Sequence, residues 1–277
     1  MPSISFIPCV NAQALRDAIA PWLAADPVPC ALACGIATRF AAPGDWAGVV
    51  TRDGMLVAAL VQTLPHPVVI AALGPVDAAC VEAVAALLRE RADTVPGING
   101  PSAWAEAIAQ SLGARVSERM GLRLHRLVGP PRLPRQVAGE LRPFLPDETG
   151  IMVDWDQAFG REVEPGQPTQ QRDQATLDRF CADSVVWSVD GRPVSMARRV
   201  RPLLGGWTIS AVYTPPDLRG RGYAGAAVHG LSAKLLAEGA SYVALFTDLA
   251  NPISNRLYAR IGFVASLDQT RILWSAL

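Results

Sequence analysis

The stretch "TISAVYTPPDLRGRGYAGAAVHGL", residues 208–231, most narrows what this chain can become. Residues 207–214 alternate, with Trp207, Ile209, Ala211 and Tyr213 on one face and Thr208, Ser210, Val212 and Thr214 on the other, which predicts a strand. Pro215-Pro216 stop it, since neither can donate to a ladder. Downstream, Ala224, Ala227, Val228, Leu231 and Leu235 recur at helical spacing and predict a helix with one buried face. Gly220, Gly222 and Gly225 therefore fall at a strand-to-helix junction, although an interior glycine costs a helix about 1 kcal/mol relative to alanine. The first-turn N–H groups of a helix have no partner within it, and glycine lets a ligand approach the backbone more closely than a Cβ permits. Such a junction binds anions, and Arg219 and Arg221 add positive charge. The loop reads as a cradle for a pyrophosphate.

Two other phosphate loops compete with this reading. No Gly-Lys-Ser/Thr follows, so the loop is not of the Walker type. "GRGYAG" does carry glycines at the GxGxxG spacing, but a dinucleotide site needs that motif directly after the first strand of a parallel unit, with an acid about 20 residues on. Here the preceding strands form hairpins and the motif comes late in the chain, which argues against a dinucleotide.

The surrounding pattern is α+β and repeats. Residues 129–135, "GPPRLPR", break both strand and helix periodicity and predict a linker between residues 1–128 and 136–277. After it come a hairpin with Asp190-Gly191 at the turn, the strand 207–214, the glycine loop, and a helix to about Glu238. The strand "SYVALFT", a helix opening at "NPIS" and two terminal strands around "GFVAS" and "QTRILWS" follow. The first side runs in parallel: a hairpin with Asp53-Gly54 at its turn, the strand "PVVIAAL", a helix, "NGPSAWAEAIAQSLG", and a last strand "RVSERMGLRLHRL". From Gly54 to Asn99 is 45 positions, against 60 from Gly191 to Asn251, and part of the missing stretch is where a glycine loop belongs. A duplicated fold with one empty copy accounts for this; the alternative is a chance likeness between two α+β domains.

The second side resembles the GNAT superfamily of N-acetyltransferases over roughly residues 140–277. Arg219, Gly222 and Ala224 match its Arg/Gln-x-x-Gly-x-Gly/Ala signature. Asn251, Ser254 and Tyr258 match a second one, Asn-x-x-Ser/Ala-x-x-x-Tyr, in "NPISNRLYARIGF". The resemblance implies two GNAT-like domains in tandem, each a mixed, mostly antiparallel sheet flanked by helices, with the first lacking the cofactor loop. It also implies acetyl-CoA bound as co-substrate in a V-shaped gap between strands 207–214 and 242–248. Backbone groups of Val212, Tyr213 and Thr214 would then hold the pantetheine arm, and Arg219, Gly220, Arg221, Gly222, Tyr223, Ala224 and Gly225 the pyrophosphate. Asn251, Ser254 and Asn255 complete the implied cofactor set, although Asn251 before a proline is equally an N-cap.

Acetyl transfer by direct attack on the thioester needs a neutral amine, a polarised carbonyl and a proton for the leaving thiolate. The resemblance gives Tyr258 that last role, because a phenol with a pKa near ~10 stays neutral at pH 7. The other reading is that Tyr258 packs, since it shares a helical face with Ser254, Leu257 and Ile261. Asp154, Asp156, Glu162 and Glu164 precede the hairpin as solvated charges, and His229, His66 and His125 read as packed or remote. No general base is assigned. Asp248, past a strand end, is a second cap or a neighbour of the reacting centre.

Composition closes off other classes. The 25 basic and 25 acidic residues cancel and are dispersed, so neither nucleic acid nor an anionic membrane surface is indicated as a partner. Five cysteines form neither a disulfide framework nor, with the three histidines, a metal-ligand pattern. No signal peptide or membrane span is visible, and a reducing cytoplasm is the expected compartment. A non-catalytic acyl-CoA sensor is the rival to an enzyme; a retained Tyr258 favours the enzyme.

Overall fold

Asp-Gly turns start both halves of the sheet. Asp53-Gly54 and Asp190-Gly191 take left-handed φ values of 49° and 78°, and 48° and 76°, the twist that a two-residue hairpin turn requires. The computed structural model describes residues 2–40, 43–163 and 172–276. The first half runs β1 (Ile4–Cys9), α1 (Ala12–Ala18), α2 (Ala20–Ala25), α3 (Ala31–Ala37), β2 (Trp46–Arg52), β3 (Met55–Gln62), β4 (Val68–Ala72), α4 (Ala78–Arg89), β5 (Gly97–Pro101), α5 (Ser102–Leu112) and β6 (Val116–Leu127). The second runs β7 (Glu140–Pro143), α6 (Thr149–Val163), α7 (Gln174–Asp183), β8 (Ser184–Val189), β9 (Arg192–Leu203), β10 (Gly206–Tyr213), α8 (Tyr223–Ala237), β11 (Val243–Asp248), α9 (Pro252–Ile261) and β12 (Phe263–Trp274).

All the strands join one sheet in the order β1-β2-β3-β4-β5-β12-β6-β11-β10-β9-β8-β7. Each strand of the first half has its counterpart in the second, and the order reads the same from either edge. The fold is thus two mixed, mostly antiparallel α+β units side by side, with an exchange at the centre. β6 pairs with β11, β12 pairs with β5, and β6 and β12 pair with each other from Leu127↔Phe263 to Val116↔Trp274. Neither half completes its sheet alone. Trp274 seals the exchange by donating its ring N–H to the Val95 carbonyl at 2.7 Å.

Helices cover both faces. One face carries α4 and α5 against Val50, Leu60, Ile70 and Ile272, and α8 and α9 against Ile209, Leu245 and Phe263. The other carries α1–α3 against Val49, Val61 and Leu203, and α6 and α7 against Val186, Met196 and Tyr213.

Two sequence expectations change. The terminal strands expected around "GFVAS" and "QTRILWS" are one strand, β12, with a register shift between Ala265 and Leu267. The regular alternation expected over 207–214 breaks at a bulge between Ser210 and Tyr213, where Ala211 takes φ +48°. Trp207, Ile209 and Val212 consequently face α8, while Ala211 and Tyr213 face α6. Among the described residues, no helix is long and apolar enough to cross a membrane.

Candidate active site

The bulge opens a wedge. β10 and β11 pair in parallel only at Trp207–Ile209 against Val243–Leu245. Beyond that, Phe246–Asp248 of β11 pair on their other side with Leu122–Leu124 of β6, so the facing edges of β10 and β11 diverge. Val212, Tyr213 and Thr214 form one wall. Buried Ser195 pins the end of that wall: its hydroxyl donates to the Tyr213 carbonyl at 3.0 Å and lies 2.9 Å from the Thr214 hydroxyl.

The glycine loop crosses the mouth of the wedge. A short 3-10 turn over Pro216–Leu218 leads into Arg219, and Gly222 then caps α8 at φ +93° without a side-chain hydrogen bond. Gly220 (φ +76°) and Gly222 take conformations that L side chains rarely adopt. Among the described residues, the amides of Gly220 to Gly225 find no partner, and Ala226 is the first to bond, to the Gly222 carbonyl at 3.1 Å. Gly225 serves packing as well: a Cβ there would stand 3.0 Å from Leu257 Cδ1 of α9.

Arg219 is the staple of this loop. Its Nε donates to the Thr214 carbonyl at 2.9 Å, its Nη2 to Glu162 of α6 at 2.6 Å, and its guanidinium lies over the Tyr213 ring. Arg221 donates to the Asp217 carbonyl at 3.1 Å. The segment read as a linker also borders the loop. A Cβ on Gly222 would meet Val137 Cγ1 at 3.0 Å and Arg135 Cδ at 3.5 Å. Arg135 went unnoticed in the sequence because proline density marks the segment only as irregular.

Helix α9 forms the other side. Asn251 caps it, accepting from the amides of Ile253 and Ser254 at 3.1 Å each, while Ser254 Oγ donates back to the Asn251 carbonyl. Asn255 donates to the carbonyls of Asp248 and Asn251 at 2.9 and 2.8 Å. Its oxygen accepts from Thr247 Oγ1 at 2.7 Å and faces His125 Nε2 at 3.3 Å. Asp248 accepts from the Ala250 amide, the cap alternative. Tyr258 lies further along α9, its ring buried edge-on to Phe263 at 6.0 Å. Its hydroxyl has no partner among the described residues and is not among the sealed unbonded atoms. Burial holds this phenol above its ordinary pKa, so it stays protonated at neutral pH.

His125 belongs to the first half, yet the strand exchange carries it beneath α9. It is 4% exposed, with Nε2 3.1 Å from Thr247 Oγ1, and Nδ1 is buried without a partner. Because Nε2 faces the Asn255 oxygen, Nε2 carries the proton of the neutral ring. Burial lowers its pKa. Sequence order alone could not place it here; only the strand pairing does.

Two of the four acidic candidates are engaged by arginines. Glu162 pairs with Arg219, and Asp156 lies 2.7 Å from Arg198 and 3.8 Å from Arg172. Asp154 is exposed on α6, and Glu164 lies outside the described residues. His229 is half-buried on α8, and His66 is exposed on the loop after β3.

Residues 150–263 match the acetyltransferase (GNAT) family. A search of curated proteins finds no match. Among solved structures, the chain is similar to a GCN5-related N-acetyltransferase from Sphaerobacter thermophilus, with 16% identity over 99% of this chain and 97% of that one and a TM-score of 0.66. It is also similar to an acetyltransferase from Colwellia psychrerythraea, with 12% identity, 99% and 100% coverage and a TM-score of 0.55. A tandem GNAT protein from the clavulanic acid biosynthesis pathway aligns with 15% identity over 98% of each chain, TM-score 0.53. At these identities the structures establish a shared fold.

Proposed function

We propose that this chain, whose residues 150–263 form a GNAT-family acetyltransferase domain, transfers an acetyl group from acetyl-CoA to an amine by direct attack on the thioester. One observation carries the reading: the uncapped amides of Gly220 to Gly225 stand at the mouth of the wedge between β10 and β11. These amides would bind the pyrophosphate as charge-assisted hydrogen bonds. The backbone of Val212 to Thr214 would bind the pantetheine arm as an added strand. Arg219 then acts by fixing the loop to α6, and Asn251, Ser254 and Asn255 by holding the start of α9 at the wedge.

Tyr258 is the proposed acid. Its unpartnered hydroxyl would hand a proton to the departing thiolate as the amine–carbonyl bond forms. Residues 136–277 are the proposed catalytic unit and residues 1–128 a degenerate copy that supplies β6 and its His125. Five free cysteines suit a reducing compartment, and we place the protein in the cytoplasm.

The test is CoA release from acetyl-CoA with a panel of amines, run on the full chain. Amine-dependent release is the expected result. Tight acetyl-CoA binding without amine-dependent release would instead identify a sensor.

A further inference from the structure

Two carboxamides at the centre of the sheet, Gln269 and Asn99, make no side-chain hydrogen bond among the described residues. Gln269 of β12 is 2% exposed, yet its Oε1 is buried without a partner, and the same holds for Oδ1 of half-buried Asn99 on β5. Neither side-chain nitrogen is among the sealed atoms. Gln62, equally buried, shows what a structural glutamine does in this fold. Its oxygen accepts from Trp46 Nε1 at 2.7 Å, and its nitrogen donates to the carbonyls of Thr94 and His66 at 2.7 and 3.0 Å. Buried polar groups are paired in folded proteins in the great majority of cases, and an unpaired one is costly.

The strand exchange sets the two carboxamides side by side. Asn99 pairs across the ladder with Arg271, two residues along β12 from Gln269, so they are diagonal neighbours on one face. This is the face of Leu267 and Leu124, opposite Thr270, whose hydroxyl meets Ser102 of α5. It stays partly open there, since Met120, Leu122, Phe246 and Asp248 are half-buried. Arg271, the charged neighbour of both, is matched by Glu118 at 2.8 Å.

The pair has a fixed relation to the wedge. Gln269 pairs with Leu122 of β6, and Leu122 pairs with Asp248, the last residue of β11. Two strand spacings, about 10 Å, thus separate Gln269 from the β11 edge of the wedge along one row. α8 and the glycine loop that opens it lie on the opposite face, so a cofactor held there leaves this face to the acceptor. We propose that Gln269 and Asn99 bind an uncharged amide group of the acceptor, about 10 Å from its reacting amine. An amide both donates and accepts, and so pairs with a carboxamide through two bonds, whereas a carboxylate only accepts. This substrate class rests on the acetyl-transfer reading above. Asn99 comes from the first half and Gln269 from the second, so the specificity site exists only in the joined sheet.

Three measurements on the full chain test it. Without ligand, Gln269→Leu should keep or raise Tm, because the carboxamide has no bond in the fold to lose. A fall of several degrees would show that the fold itself uses the group, and would overturn the proposal. In the presence of CoA, which cannot react, an ω-aminoalkyl carboxamide is titrated calorimetrically beside the ω-amino acid, the ω-amino alcohol and the plain alkylamine, over a range of chain lengths. The carboxamide should bind about tenfold or more tighter than each, and lose that margin in Gln269→Leu and in Asn99→Leu. With acetyl-CoA, the same order should appear in kcat/KM, through KM, while acetyl-CoA affinity stays unchanged in both variants. Equal or better binding of the acid, the alcohol or the alkylamine, or a margin that survives both substitutions, would overturn the proposal. Amide-selective binding lost in both variants, with no amine acetylated, would support the site and count against the acetyl-transfer reading alone.

Discussion

Asp77 and Gly222 stand at the same place in the two halves, just before the helix that follows the fourth strand of each. Asp77 accepts the Cys80 amide at 2.9 Å and pairs with Arg52, so the first turn of α4 is closed by its own carboxylate. Gly222 offers no side chain, and the first turn of α8 stays open. The strands differ in the same sense. β4 and β5 pair in parallel at Val68 and Val69, and at Gly100 the next step brings the backbones so close that a Cβ would collide with the Ile70 carbonyl. β10 bulges away at Ala211 instead. One architecture thus carries a helix start closed by its own carboxylate beside a shut gap, and an uncapped helix start beside an open one.

The largest expected effect concerns the proposed acid. Counted back from the left-handed glycines that end α5 and α9, Gly113 and Gly262, the first-half counterpart of Tyr258 is Ala109. Only the second half has a phenol there. Tyr258→Phe should lower turnover about 10²–10⁴-fold with acetyl-CoA affinity and Tm nearly unchanged, because the hydroxyl has no partner among the described residues to lose. Near-normal turnover in stopped assays at saturating acetyl-CoA would return Tyr258 to a packing role.

Next comes the loop. Gly222→Ala should weaken acetyl-CoA binding about 100-fold, the equivalent of one or two charge-assisted hydrogen bonds. It should also destabilise the fold by about 1–2 kcal/mol through the left-handed φ. The mirror change, Asp77→Ala, should remove a cap at about 0.5–2 kcal/mol and leave acetyl-CoA binding untouched. Calorimetry and melting curves on both variants read the contrast, and equal effects on binding would erase it.

The smallest effect belongs to the seam of the halves. His125 is buried neutral, with its folded pKa lowered from about 6.5. Its contribution to stability is therefore complete above that value and declines as pH falls below it, where the unfolded chain takes up more protons. Tm should drop between pH 7 and 5, and His125→Gln should flatten that part of the profile. An unchanged slope would show that other groups set it.

Much of this contrast was legible in the residues. Asp-Gly turns, the alternation of strands and the helical face of Ala227, Val228 and Leu231 depend on local chemistry, so they could be read directly. The loop was legible because glycines at 220 and 222 mark the left-handed backbone that leads into the helix start. What escaped notice depends on distant pairing: the bulge at Ala211 needs β9 as its ruler, and His125 and Arg135 reach their neighbours only through strand exchange and packing. Asn255 illustrates the boundary, since its position in a motif was visible but its bonds to Thr247 and across the seam to His125 were not.

The central claim is that one half binds acetyl-CoA and the other cannot. Calorimetric titration of acetyl-CoA into the full chain measures it without recourse to turnover or an acceptor. One molecule per chain, with binding weakened by Gly222→Ala and not by Asp77→Ala, is the predicted result. Saturation at two per chain, or one site that persists unaltered in Gly222→Ala, would contradict the account.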